Sequence, residues 1–248
     1  MDYHRERFYA YQTSARGLVT PEALRAHFDR SAAWYEARLG RFLPADRSCR
    51  LLDCACGYGN FSYFLKQKGY RNVRAVDLDP KQVELARSVG VEAEVGDVFG
   101  TLEEPSTSYA CVVAVDFLEH LYKRDAVRFV EAAYSALTPG GVLVLRTPCA
   151  DGPFGASHIF NDVTHEFGAT SSTVVGLARM AGFGDVVVLD ERPQIKAPLP
   201  KAYARLAAFL VARALADAFC VALNVDRPRV WSQSMWIVAH KQATGRPG

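Results

Sequence analysis

Short apolar runs alternate with amphipathic stretches along most of the chain. Apolar residues lead from Arg50 to Cys54, small residues make a turn, and a helical stretch follows over 61–68. Residues 73–77 read as a second strand, 91–95 as a third and 111–115 as a fourth. Thr138-Pro139-Gly140-Gly141 stops a helix and opens a fifth strand over 142–146. A helix over 171–180 and the turn Ala181-Gly182-Phe183 precede a sixth strand at 186–189. Residues 231–240 alternate as a last strand, antiparallel, in an edge pair. Asp79-Pro80 starts the helix after strand two. Asp125 can cap another helix, with Val127, Val130, Tyr134 and Leu137 as its buried stripe. Ahead of them all, Thr20-Pro21-Glu22 opens a helix that runs to Leu39 and stops at Gly40, with Leu24, Phe28, Ala32 and Tyr35 at helical spacing. Strands alternating with helices predict an α/β fold: seven strands, mostly parallel, the last antiparallel, with helices on both faces.

Two segments break that rhythm. Residues 147–170 are rich in Gly, Pro, His, Asp and Phe, and a loop this long inside a domain is usually functional. Residues 198–224 form an apolar helical insertion in which Lys201, Arg205, Arg213 and Asp217 share one side. Its internal charges argue against a transmembrane span. Packing on the sheet, a homodimer face or a peripheral membrane contact through 200–223 remain open for it. The organisation expected is an N-terminal helical arm or lid over 1–47 and a main domain over 48–248.

Composition narrows the function. With 29 basic and 27 acidic residues, a net charge of +2 gives no electrostatic reason to expect nucleic acid. The six cysteines have no zinc-type spacing, and four sit in or beside predicted strands, where free Cys behaves as a small apolar residue. That implies a reducing compartment, and the first residues do not read as a secretory signal, so a cytoplasmic protein is expected. Near that end, Tyr3, Phe8, Tyr9 and Tyr11 are interleaved with Arg5, Arg7 and Arg16, an arm suited to cover a cleft or meet another subunit.

The chemistry concentrates at Asp53-Cys54-Ala55-Cys56-Gly57-Tyr58-Gly59-Asn60. Gly57 and Gly59 let the backbone turn tightly and approach a ligand. A dinucleotide loop would carry a third glycine where Ser62 stands, and Asp53 at its mouth would repel a pyrophosphate. S-adenosylmethionine suits that carboxylate better, because it carries a sulfonium and an ammonium and no phosphate. Asp77, about 20 residues on, ends strand two where a carboxylate can accept both ribose hydroxyls. Asp97 can accept from an adenine amino group.

The ordered set Asp53-Cys54-Ala55-Cys56-Gly57-Tyr58-Gly59, Val76-Asp77-Leu78-Asp79, Gly96-Asp97-Val98, Asp116-Phe117-Leu118-Glu119-His120 and Leu137-Thr138-Pro139-Gly140-Gly141 resembles class I S-adenosylmethionine-dependent methyltransferases. The resemblance implies a Rossmann-like sheet, S-adenosyl-L-methionine as cofactor, and cofactor contacts at Asp53, Ala55, Gly57, Gly59, Asp77, Leu78, Asp97, Val98, Asp116 and Phe117. Ala55 departs from the glycine common at that point. Residues 27–35 resemble the helix that lids the cofactor, which makes Tyr35 a further contact or else a core residue.

The loop over 147–170 is the expected acceptor site. His165, flanked by Asp162 and Glu166, is the candidate general base, with either acid to hold its imidazole; His158 is a second candidate. His120 is expected to shape the cofactor pocket. His158, Asp162 and His165 together are a metal alternative, although no resident metal is expected. The stretch Asp162-Val163-Thr164-His165 and the closing Gln233-Ser234-Met235-Trp236-Ile237-Val238-Ala239 also resemble sugar O-methyltransferases of polysaccharide and O-antigen biosynthesis. That resemblance implies a hydroxyl of a nucleotide-linked sugar or glycan as acceptor. The alternative is O- or N-methylation of another small metabolite; a catalytically silent binding protein or a dehydrogenase fits the loop less well.

Overall fold

The strands are β1 (Arg50–Cys54), β2 (Asn72–Asp77), β3 (Ala93–Val95), β4 (Tyr109–Val115), β5 (Leu137–Pro148), β6 (Asp185–Asp190) and β7 (Ser234–His240). They form one sheet in the order β3-β2-β1-β4-β5-β7-β6, with only β7 antiparallel to its neighbours. The helices are α1 (Pro21–Leu39), α2 (Asn60–Gln67), α3 (Pro80–Ser88), α4 (Val98–Leu102), α5 (Lys123–Ala136), α6 (Gly155–Phe160), α7 (Ser171–Met180) and α8 (Pro200–Ala222). This computed structural model describes residue 11 and residues 20–105, 108–153, 155–191 and 200–243. Of the expectations above, those on Tyr3, Arg5, Arg7, Phe8, Tyr9 and Arg16 and on the first two residues of the 198–224 insertion lie outside the described residues.

The central strands are buried on both faces, and their side chains alternate between two cores. Leu52, Cys54, Val112, Ala114, Leu143, Leu145 and Ile237 point into one core, with α5 and α7. Leu51, Cys111, Val113, Val142, Val144, Trp236 and Val238 point into the other, with α1 and α2. Strand order reverses at β1, with β2 on one side and β4 on the other. The carboxyl ends of β1 and β4 therefore part to open a crevice.

The helix α1 is built as its sequence dictates. The Thr20 hydroxyl accepts from the Ala23 N–H at 3.3 Å, Pro21 takes the first position, and Leu24, Phe28, Tyr35 and Leu39 are buried. Phe28 stacks on Tyr58 at 5.9 Å, and Tyr35 meets Phe61 edge-on at 4.9 Å. This helix thus shares the core of the sheet domain.

Three expectations are corrected. The helix α5 starts at Lys123 after Tyr122, so Asp125 lies in its first turn and does not cap it. Its buried face is Ala126, Phe129, Val130, Ala133 and Ala136, with Val127 and Tyr134 half-buried, because the helix is rotated toward its smaller residues. The Lys241 ammonium donates to the Tyr134 and Leu137 carbonyls at 2.8 and 2.7 Å and so caps its C-terminal end. The last strand, β7, is antiparallel and belongs to the edge pair as expected, with β6 outermost. Finally, α8 does not pack into the core, since none of its residues is buried, and Arg213 and Asp217 are its half-buried charges.

Candidate active site

The crevice is a cavity of about 800 Å³. Its first wall is the turn after β1. Ala55, Gly57 and Gly59 all take left-handed backbone, with φ of 51°, 55° and 86°. At Gly59 a Cβ would also stand 3.0 Å from the Ala86 side chain, so only glycine fits there. Ala55 meets the same demand with a Cβ attached, at a cost of about 1–2 kcal/mol.

Asp77 holds the turn in place. Its carboxylate accepts from the N–H of Gly57 and from the N–H of Asp79, each at 2.8 Å. Burial raises its pKa, and those two N–H groups pull back against the rise. Asp53 is buried at the end of β1 and accepts from the Ser62 hydroxyl at 2.6 Å. Burial pushes its carboxyl up to about 7, against the pull of Ser62. Asp97 caps α4 by accepting from the Gly100 N–H at 2.9 Å, and it lines the cavity. Leu78, Val98, Asp116, Phe117 and Tyr35 also line the cavity, so every candidate cofactor residue except Gly59 borders it, and Gly59 sits one residue before the lining Asn60. Tyr35 is both a core residue and a wall, and burial holds its hydroxyl well above the usual tyrosine range.

The opposite wall, the expected acceptor side, comes from the 147–170 segment. This is not one open loop: it carries α6, and Cys149 bridges Ala169 to close its base. His158, Asp162 and His165 all reach the cavity. His165 Nδ1 lies 2.6 Å from the Ile159 carbonyl, which only accepts, so Nδ1 carries the proton. In the neutral ring Nε2 then has a free lone pair, 3.8 Å from an Asp162 oxygen. The expected Asp162 or Glu166 hold on the imidazole is thus supplied by a backbone carbonyl, while Glu166 is exposed and its N–H donates to the Glu119 carbonyl at 2.8 Å. Asp162 accepts from the Thr164 N–H and hydroxyl at 2.8 and 2.6 Å; burial pulls its pKa up, but these bonds hold it below the usual range. His158 Nε2 faces the Ser234 hydroxyl at 3.3 Å, and burial with the nearby Arg146 cation holds it below the usual histidine value.

Several residues of the site were not singled out from the sequence. Arg146 lines the floor, its guanidinium shared by Asp116 and Glu191 and set over Trp34 and Trp236. Asp116 itself is left-handed, with φ of 52°. Glu119 is buried, accepts from the Thr147 hydroxyl at 3.0 Å, and is driven well above the usual carboxylate range by burial and by Asp116. Asn60 Oδ1 is buried with no hydrogen-bond partner among the described residues, an acceptor ready for a ligand donor. The group whose donor atoms lie within 4.8 Å of one another is Glu119, His120 and His165, in place of the expected His158, Asp162 and His165. His120 reaches it because its Nδ1 is held between the Thr164 carbonyl and hydroxyl, at 3.2 and 3.0 Å.

The cavity is strongly acidic. Asp53, Asp77, Asp79, Asp97, Asp116, Glu119, Asp125 and Asp162 line it, and Arg146 is the one Lys or Arg among the described lining residues. It therefore favours a cationic ligand and discourages a polyanion. A family profile described as a methyltransferase domain matches residues 25–219. The chain belongs to that family. The sulfonium and ammonium of S-adenosyl-L-methionine fit the acidic walls and the unpaired Asn60 oxygen of this site. It is similar to the ubiquinone biosynthesis O-methyltransferase of Xanthomonas oryzae pv. oryzae, 35% identical over 111 residues, 41% of this chain and 45% of that one. The chain thus spans about half the length of the curated relatives it matches. A solved S-adenosylmethionine-dependent methyltransferase from Archaeoglobus fulgidus shares the fold at TM-score 0.62 and 20% identity, over 85% of this chain and 95% of that one. A Haemonchus contortus phosphoethanolamine N-methyltransferase 2 in complex with S-adenosyl-L-methionine does so at 0.59 and 20%, over 85% and 52%.

Proposed function

We propose that this methyltransferase acts on a hydroxyl oxygen, with His165 as general base. The observation that carries this reading is the Ile159 carbonyl on Nδ1, which fixes the tautomer whose Nε2 can take a proton. S-adenosylmethionine supplies the methyl group already bonded to a good leaving sulfur. His165 removes the hydroxyl proton as the oxygen–carbon bond forms and the sulfur–carbon bond breaks, and Asp162 stabilises the imidazolium that results. Nitrogen acceptors need no such base. On the cofactor side, Asp77 takes the ribose hydroxyls and Asp97 the adenine amino group, while Asp53 and Asn60 face the charged methionyl end.

A sugar hydroxyl is the acceptor we favour, on the likeness of the 162–165 stretch and of β7 noted above. The acidic walls favour an uncharged glycoside over a nucleotide-linked sugar, whose diphosphate would meet carboxylates and a guanidinium already shared by Asp116 and Glu191. The oxygen acceptor implied by the name of the Xanthomonas relative accords with the hydroxyl, though not with the sugar. Transfer of labelled methyl to a panel of neutral glycosides, nucleotide sugars, phenols and amines, with product mass and linkage determined, tests both levels. Methyl ethers of glycosides are expected. Products of phenols would remove the sugar, and methylated amines alone would remove the hydroxyl reading.

A further inference from the structure

The helix α8 is 23 residues long, roughly 35 Å, and none of it is buried. Its half-buried positions, among them Leu206, Phe209, Arg213, Asp217 and Cys220, recur every three or four residues and so form the side turned toward the protein. Arg213 and Asp217 pair there at 3.8 Å, with the Arg213 guanidinium 5.8 Å from the Trp231 ring. The helix has turned its ion pair inward and its apolar side outward. Tyr203, Leu210, Val211, Leu215, Phe219 and Val221 are each between 53% and 68% exposed. A continuous apolar face of this length marks a contact surface.

Charge selects what covers it. Apart from the inward pair, the charged residues of α8 are Lys201 and Arg205, both exposed, and Arg227 and Arg229 are exposed just beyond it against a single acid, Asp226. A second copy of this face would set cations against cations. A surface of anionic headgroups answers both the charge and the apolar side chains. No described helix is long and apolar enough to cross a membrane, so α8 would lie in the plane of the headgroups.

We propose that α8 seats this methyltransferase on an anionic lipid surface, beside the entrance to its acceptor cavity. Trp231, under Arg213, lies with its carbonyl against Gly152, within the acceptor segment. That segment presents Phe160 and Val163, 84% and 66% exposed, next to Asp162 and His165. An acceptor hydroxyl carried on an apolar tail would enter from the lipid; this last step rests on the hydroxyl reading, whereas the seating does not.

The test is co-sedimentation of the full chain with vesicles of phosphatidylcholine, with and without phosphatidylglycerol. Binding is expected on the anionic vesicles, weakened by added salt and much weaker on phosphatidylcholine alone. The double substitution Val211→Asp with Leu215→Asp should weaken it about tenfold or more without changing the thermal melt, because both side chains are exposed. Lys201→Glu with Arg205→Glu should remove much of the salt dependence. No binding by wild type at low salt overturns the proposal, as does unchanged binding by the Asp pair. A dimer that the Asp pair dissolves, in a chain indifferent to vesicles, assigns the face to a second copy instead. Because binding is read without turnover, failure here leaves the hydroxyl reading standing, and the reverse.

Discussion

The two walls of the cavity are built by different means. The cofactor wall rests on backbone: left-handed residues at 55, 57 and 59, and a carboxylate, Asp77, that holds the turn through two N–H groups. The acceptor wall is assembled largely by side chains from distant segments, with Thr147 on Glu119, Ser234 beside His158 and Thr164 on His120, around a His165 whose ring is held by the Ile159 carbonyl. Backbone geometry tolerates few residue types, so the first wall suits a ligand that never changes. A wall of side chains can be re-cut without disturbing the turn, which suits an acceptor that differs between related enzymes. The two walls should therefore fail separately when mutated.

The largest effect belongs to the acceptor wall. His165→Ala should lower kcat by about 10²–10⁴, the usual contribution of a positioned base, and leave cofactor affinity nearly unchanged. Should a chelator abolish turnover and a divalent cation restore it, Glu119, His120 and His165 act as a metal set and the base assignment gives way.

Next comes the cofactor wall. Asp77→Ala removes the proposed ligand contact and both N–H bonds to the turn, so affinity should drop by roughly 1–3 kcal/mol. Calorimetry reads it directly, and equal binding by the variant would show that Asp77 serves the fold alone.

Asp53 sharpens the comparison through pH. Its carboxyl is held near 7 by burial, above the ordinary 3.8. The folded chain therefore keeps a proton there that the unfolded chain has already released. The stability this contributes is present below about pH 4 and is lost as pH rises through about 7. A cationic ligand beside Asp53 favours the carboxylate, so binding below pH 7 should release a proton. Affinity should then climb with pH by up to about tenfold per unit and level off above neutrality. The heat of binding should vary with the ionisation heat of the buffer, and Asp53→Asn should lose both effects; a flat profile in wild type would detach Asp53 from the ligand.

The smallest effect is at Ala55. Glycine relieves the left-handed strain but loosens the unfolded chain, so Ala55→Gly should stabilise by up to about 1 kcal/mol. A denaturant midpoint checks this, and a loss of stability would mean that the methyl group packs usefully.

The same contrast explains what the sequence made legible. Asp53, Gly57 and Asp77 lie within one strand–turn–helix–strand unit, so short spacing was enough to place them at one cavity. The strands announced themselves too, because residues buried on both faces read as apolar runs. Arg146 was invisible for the opposite reason: its partners Asp116 and Glu191 are 30 and 45 residues away, and inside a strand it looked like one more polar position. The Ile159 carbonyl that orients His165 is a backbone atom, which no side-chain pattern can reveal. In α8 the helix itself was legible and its facing was not. Spacing put the four charges on one side of the helix, but it could not reveal that Arg213 and Asp217 pair over Trp231 on the side turned inward.

The separability of the two walls is tested most directly by one calorimetric series: S-adenosyl-L-methionine titrated into wild type, Asp77→Ala and His165→Ala under identical conditions. The account predicts binding to wild type, clear weakening in Asp77→Ala and wild-type affinity in His165→Ala. Absence of binding to wild type, or weakening of the same size in both variants, would contradict it.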